Sequence, residues 1–268
     1  MNLKNKTLSL RLVAQASTLH CRVSTKIFHI KIQLYKETLM KKTLLSISLT
    51  SLIAATSLLS TQASAVEGLS ANVGATSNYL WRGVSQTDNA AAISGGIDYA
   101  AGSGFYAGTW ASNIDFGDDA SAELDFYLGF SGQLSEDVAY DVGYIYYAYP
   151  DSAQTDTTNE YDFGEVYGSL SYSYFSLSAS YGINNDDGAA FADASLYVSA
   201  DAEFEVADGL TLAFHLGDYS FDDAMVAQDY NDYSVSLSKN GFTFAVSDTD
   251  MVNDDMKFVI SYAIDIDL

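Results

Sequence analysis

Beyond residue 65 the sequence carries a single histidine, His215, no cysteine, and three basic residues, Arg82, Lys239 and Lys257, against 34 acids. That inventory limits the chemistry on offer. Nucleophilic catalysis needs an activating base that a third group orients; serines abound, but no nucleophile motif accompanies His215, so it reads as a wall residue and no enzyme is expected. Asp186-Asp187, Asp222-Asp223, Asp248 with Asp250, and Asp254-Asp255 offer hard oxygen ligands, yet none has the spacing of a helix-loop-helix calcium site. They read as loop solvation, and neither a metal nor a cofactor is expected. Phosphate-cradling glycine loops and Cys-His zinc spacings are absent, and the basic patches that nucleic acid would require are missing. What remains is a set of carboxylates at alternate positions: Glu123, Asp125, Asp141, Glu165, Asp201, Glu203 and Glu205. Arg82, His215 and Lys257 join them on the same face by parity. Carboxylates ringing a wetted passage favour cations, so the chemistry these residues offer is electrostatic selection by a pore lining.

Strands must position such a set, because the hydrophobic pattern has period two, which sends alternate side chains to opposite faces. Leu124, Phe126, Leu128 and Phe130 alternate with Glu123, Asp125, Tyr127 and Gly129. Leu210, Leu212, Phe214 and Leu216 alternate with Thr211, Ala213, His215 and Gly217. The pattern predicts strands over residues 69–82, 91–101, 105–114, 122–132, 138–149, 161–171, 175–181, 194–206, 210–219, 230–238, 242–247 and 256–268. Most approach the ~9–11 residues that cross a bilayer at a tilt. Short turns (102–103, 133–137, 172–174, 207–209, 239–241) alternate with longer Asp- and Asn-rich loops (83–90, 115–121, 150–160, 182–193, 220–229, 248–255). Short periplasmic turns and long external loops are the layout of an outer-membrane barrel. Within Lys239-Asn240-Gly241 the Asn-Gly pair is a strong hairpin signal. Tyrosines near strand ends (Tyr79, Tyr99, Tyr106, Tyr144, Tyr149, Tyr161, Tyr181, Tyr219), with Trp81 and Trp110, suit interfacial aromatic girdles.

Charge divides the chain in two. Residues 1–65 hold nine of the twelve basic residues and one acid, Glu37, whereas residues 66–268 carry a net charge of −31. Met40-Lys41-Lys42, the apolar stretch from Leu44 to Leu59, and Ala63-Ser64-Ala65 form the charged start, core and cleavage site of a secretory signal peptide. The expected organisation is an N-terminal extension (1–39) that reads as translation from too early a start or, alternatively, as an unusually long targeting leader, a signal peptide (40–65), and a barrel (66–268). No stretch after Ala65 is apolar enough for a spanning helix of ~20 residues, so any membrane crossing is made by strands.

Asn78 to Asp88 reads NYLWRGVSQTD and Gly104 to Phe116 reads GFYAGTWASNIDF. On Tyr79, Arg82-Gly83, Gln86-Thr87 and Gly108-Thr109-Trp110 the chain resembles the TorF-type porin family of proteobacteria. The resemblance implies an outer-membrane β-barrel and passive transport, and supplies no substrate. One departure is the terminal residue, Leu268, where many outer-membrane barrels end in Phe.

The fold expected is therefore all-β, a transmembrane antiparallel barrel of about twelve strands in the Gram-negative outer membrane. Its expected partners are membrane lipid, lipopolysaccharide and small hydrophilic solutes, and the expected function is a cation-preferring pore. Two alternatives remain open at this level: a non-conducting structural or adhesive barrel, and a soluble secreted β-sandwich binding module.

Overall fold

The computed structural model describes residues 67–152, 161–185, 187–222 and 227–268. The expected extension and signal peptide lie outside the described residues, as does most of the expected 150–160 loop. The strands are β1 (Leu69–Thr76), β2 (Leu80–Trp81), β3 (Val84–Ser85), β4 (Ala92–Ala100), β5 (Phe105–Asn113), β6 (Ala122–Gln133), β7 (Val138–Ala148), β8 (Phe163–Tyr172), β9 (Phe175–Asn185), β10 (Leu196–Ala207), β11 (Leu210–Ser220), β12 (Tyr230–Lys239), β13 (Phe242–Thr249) and β14 (Lys257–Asp267). A 3₁₀ turn, Asp187–Ala192, precedes β10.

Twelve of these strands, β1 and β4 to β14, form one closed barrel, each antiparallel to its neighbours. Closure is made by β1 against β14, with Ser70 opposite Asp267 and Thr76 opposite Ser261. It leaves no open edge of unpaired N–H and C=O groups. The strand number, the alternation of short turns with longer loops, and the all-β class agree with the sequence reading. Lys239 pairs with Phe242 across Asn240 (φ 52°) and Gly241 (φ 81°), the two positive angles that this tight hairpin needs.

The first expected strand ends early. Wall pairing stops at Thr76, whose hydroxyl donates to the Asn78 carbonyl at 2.8 Å. The chain then builds the small β2–β3 hairpin, with Leu80 opposite Ser85 and Trp81 opposite Val84. Its turn is Arg82-Gly83, both at positive φ (49° and 79°). Period two continues through Tyr79 and Trp81 into β2, which is why the pattern alone reads that arm as more wall.

Large apolar side chains face outward around the wall: Ile93 is 70% exposed, Leu216 63% and Phe258 65%. A sandwich would bury these faces against each other in a dry core; here they stand outside and the polar parity points in. The aromatic positions require a correction. Tyr79, Trp81, Trp110, Tyr149 and Tyr219 pack in interior ring clusters, and Tyr106 bonds the interior Asp141, so none of the six belongs to a girdle. Phenol hydroxyls seek acceptors, and the carboxylates are inside. Outward rings gather instead near the short turns, in the pairs Phe105–Phe130, Tyr174–Phe204 and Phe242–Tyr262.

Glycines make room for the inward rings. Tyr106, Gly129, Gly143 and Tyr167 lie in register across β5 to β8. The two tyrosines fold over the two glycines until their hydroxyls meet. A Cβ on Gly143 would lie 2.5 Å from the Tyr167 ring, whereas one on Gly168 would meet nothing closer than 3.6 Å. Gly143→Val is therefore expected to destabilise the barrel by ~1–3 kcal/mol, the usual cost of overpacking, with Gly168→Ala near neutral; urea midpoints in detergent micelles check the pair.

Candidate functional site: the barrel interior and its inward hairpin

The segment between β1 and β4 does not extend outward as an external loop. It folds into the barrel mouth and reaches the far wall. Tyr79 starts the crossing: its hydroxyl donates to Glu123 Oε1 at 2.7 Å, and its ring meets Trp110 edge-on. Trp81 packs edge-on against Tyr147, Phe163 and Tyr219, which come from β7, β8 and β11. At the turn, Arg82 Nη2 lies 2.7 Å from Glu165 Oε2, and both side chains are buried. The guanidinium also sits over three rings, those of Trp81, Tyr197 and Tyr219, at 4.2–4.5 Å. Stacking on that many aromatic faces suits the planar guanidinium better than a lysine ammonium. The hairpin backbone is held as well, since the Tyr230 hydroxyl donates to the Arg82 carbonyl at 3.1 Å and the Asp115 amide to the Gln86 carbonyl at 2.8 Å. Gly83 is required by contact: a Cβ there would lie 2.7 Å from both Asp232 Cβ and Thr249 Cγ2.

The residues singled out from sequence fall into three groups. Glu123, Asp125, Asp141 and Glu165 are buried on the inner face. Glu123 accepts from Tyr79 and Tyr149, Asp141 accepts from Tyr106 at 2.6 Å, and Asp125 Oδ1 has no partner among the described residues. Asp201 and His215 form a second cluster with Asp232 and Tyr197. His215 Nδ1 is 2.6 Å from Asp201 Oδ1; its Nε2 is 3.0 Å from Asp232 Oδ1 and 2.9 Å from the Tyr197 hydroxyl. Glu203, exposed, continues that face toward the short turns. Two residues stand apart. Lys257 pairs with Asp254 at 2.5 Å in the loop before β14. Glu205 is exposed at the turn end, still in register with Thr211, where it accepts the Gly209 amide at 3.1 Å.

Sequence reasoning missed Asp232 and Asp98, and it put Arg82 at the end of a wall strand where the structure has the turn of an inward hairpin. Parity with Ser234 and Ser236 would have found Asp232. The Arg82-Gly83 turn was the signal for the hairpin. Among the described residues no three His, Cys, Asp or Glu side chains converge as metal ligands. Asp186 and Asp223 lie outside the described residues; of the described loop carboxylates, Asp250 accepts from the Asn231 amide at 2.7 Å. For Asp254, burial raises the pKa, but the Lys257 and Thr249 hydrogen bonds outweigh it and hold the carboxyl below its ordinary value. The Ser121 hydroxyl, then its amide, likewise holds the Asp151 carboxyl low.

Residues 60–265 match the model of a family described as "Bacterial protein of unknown function (Gcw_chp)". The chain belongs to the Gcw_chp family. No curated protein matches it. Solved structures similar to this Gcw_chp member include a KdgM porin, at 8% identity and a TM-score of 0.48, over 74% of this chain and 99% of that one. OprD of Pseudomonas aeruginosa is similar at 12% identity and a TM-score of 0.37, over 75% of this chain and 68% of that one. OpdK of the same organism, solved with vanillate, is similar at 15% identity and a TM-score of 0.38, over 75% and 66%.

Two expectations follow for this Gcw_chp barrel. Glu165→Gln leaves the buried Arg82 without its counter-charge, a loss of about 3–5 kcal/mol; exchange of the Gln86 amide, bonded to the Tyr79 carbonyl, should speed up by roughly two to three orders of magnitude. Unchanged exchange would show that the rings alone hold the hairpin. Asp151, whose pKa is lowered in the fold, contributes its tie to Ser121 fully above the ordinary aspartate pKa of ~3.9 and loses it as pH falls through the lowered value. The Ser121 amide shift should titrate with a midpoint below that ordinary value, and should not titrate in Asp151→Asn.

Proposed function

We propose that this protein is an outer-membrane porin that passes small hydrophilic solutes by passive diffusion and prefers cations. The observation that carries the reading is the division of the closed sheet, apolar on the outside and acidic and hydrogen-bonding within. An outer face with so many large, exposed apolar side chains in a continuous belt is expensive in water and matches hydrocarbon, since every backbone polar group of the wall is satisfied inside the closed sheet. The ring pairs near the short turns suit the interfacial level, where lipid and lipopolysaccharide are the expected partners. Resemblance to the TorF-type porins points the same way.

Selectivity follows from charge. Glu123, Asp125, Asp141, Glu165, Asp201 and Glu203 are the residues we assign to the lining, with His215 and Arg82 as the basic groups among them. Carboxylates in a confined, low-dielectric passage attract cations and repel anions. A polyanionic solute such as the disordered oligogalacturonate held by a KdgM porin would meet that repulsion along the whole interior.

The inward hairpin favours a second reading, a barrel closed by its own first loop. Planar-bilayer recordings separate the two. The purified barrel is expected to conduct and, in asymmetric KCl, to give a reversal potential of cation-selective sign. Arg82→Ala, which removes the hairpin's anchor, should raise the conductance. A folded, inserted barrel that passes no current, with Arg82→Ala as silent, would establish the non-conducting reading; an anion-selective potential would remove the cation preference alone.

A further inference from the structure

The hairpin leaves the wall at β1, rejoins it at β4 and docks on strands across the lumen, so it has to arch away from its own root. Its anchors lie on β5 to β8 and β10 to β13, from Trp110 and Glu123 round to Asp232 and Thr249. Under the arch, against β14, β1, β4 and the end of β5, a cavity of about 40 Å³ remains between Tyr79-Leu80 on the hairpin and Gly74, Ser94, Ser112 and Ser261 on the wall. It has room for on the order of three waters. Apart from Trp110 and Tyr262 at its border, the wall there is built from small residues, in contrast to the tyrosines that fill the opposite side.

Strands β14, β1 and β4 carry charge just beyond the cavity. Asn72 lies two residues below Gly74, opposite Asp265 on β14 and Gly96 on β4. Its Nδ2 donates to Asp98 Oδ2 at 3.1 Å. The remaining Asn72 Oδ1 and the Asp265 Oδ2 are both secluded from the surface and have no hydrogen-bond partner among the described residues. Burying acceptors unsatisfied costs free energy, and water or a passing cation in the passage would satisfy both. Resting on the porin reading, we propose that the conducting route is eccentric: solute moves along the β14–β1–β4 wall behind the hairpin, and Asp98 with Asp265 selects for positive charge on that route. The hairpin then acts as a partition which confines the path to one side, held by Glu123 and Glu165 on the far wall, while the other interior carboxylates add to the negative potential of the lumen.

Cysteine substitution tests the route on the intact barrel, because the described part of the chain contains no cysteine of its own. Ser94→Cys and Ser261→Cys lie on the proposed path; Ser180→Cys lies on β9, away from it. After treatment with a cationic methanethiosulfonate reagent, with labelling read by intact mass, currents through the Ser94 and Ser261 variants should fall by roughly half or more, as expected where bulk and positive charge enter a narrow cation pathway. Ser180→Cys should keep its current. Asp98→Asn combined with Asp265→Asn should move the reversal potential toward zero without closing the channel. The proposal is overturned if position 94 or 261 stays unlabelled, if labelling there leaves the current intact, or if position 180 is blocked as strongly. A wild-type barrel that never conducts removes the porin reading itself, and it would be recognised before any variant is made.

Discussion

Pairing of the first wall strand with the last is the constraint on which everything else depends. Without β1 against β14 the sheet would have two open edges and no defined interior. Once it closes, the pleat assigns every alternate residue to one of two environments that cannot exchange. Ile97 and Asp98, adjacent in sequence, then face opposite worlds, and the same holds for Phe126 beside Asp125. A one-residue slip anywhere would turn the whole acidic set outward, so the alternation that makes the barrel also enforces its register. The interior rows add a second lock: Tyr106 and Tyr167 fit only where Gly129 and Gly143 stand opposite them.

Closure also accounts for the hairpin. A wide barrel with short side chains at its mouth would hold water there, and this chain fills the mouth with Tyr79, Trp81 and Arg82. Three rings around one guanidinium, each contact worth ~0.5–2 kcal/mol, supplement an ion pair whose desolvation alone would make it a poor source of stability. The pair supplies direction instead. Glu165 is the buried carboxylate that the Arg82 side chain reaches, and this fixes how far the hairpin crosses and which wall it leaves free.

The barrel was legible in the sequence because period two is a direct consequence of strand geometry. All twelve wall strands lie where alternation put them, and Asn240-Gly241 turns as its residue types require. What misled was the same signal used too far. Tyr79 and Trp81 continue the alternation past Thr76, so the first arm of the hairpin reads as wall, and the positive angles of Arg82 and Gly83 turn the chain back. Tyrosine was the most ambiguous residue. Its ring fits a lipid interface and its hydroxyl fits a carboxylate, and a one-dimensional pattern does not say which partner is near. The solution here is divided: tyrosines such as Tyr79, Tyr106, Tyr127 and Tyr149 turn inward to acids, while Tyr99, Tyr172, Tyr181, Tyr233 and Tyr262 stay exposed with most of the wall phenylalanines.

That division bears on the charge of the interior. A buried carboxylate needs hydrogen bonds, and there are two ways to provide them. A basic side chain satisfies the acceptor and cancels the charge, as Arg82 does for Glu165. A phenol satisfies the acceptor and leaves the charge in place. Glu123 is served by Tyr79 and Tyr149, Asp141 by Tyr106, and Asp98 by Tyr127, none of which carries a positive charge. With three basic residues against 34 acids after residue 65, neutralising the interior was never available to this sequence. Abundant tyrosine solves the folding problem that the acids create, because it meets their hydrogen-bonding demand at a modest cost in space. The lumen can therefore be packed and ordered and still remain strongly negative, which is the electrostatic condition a cation pathway needs.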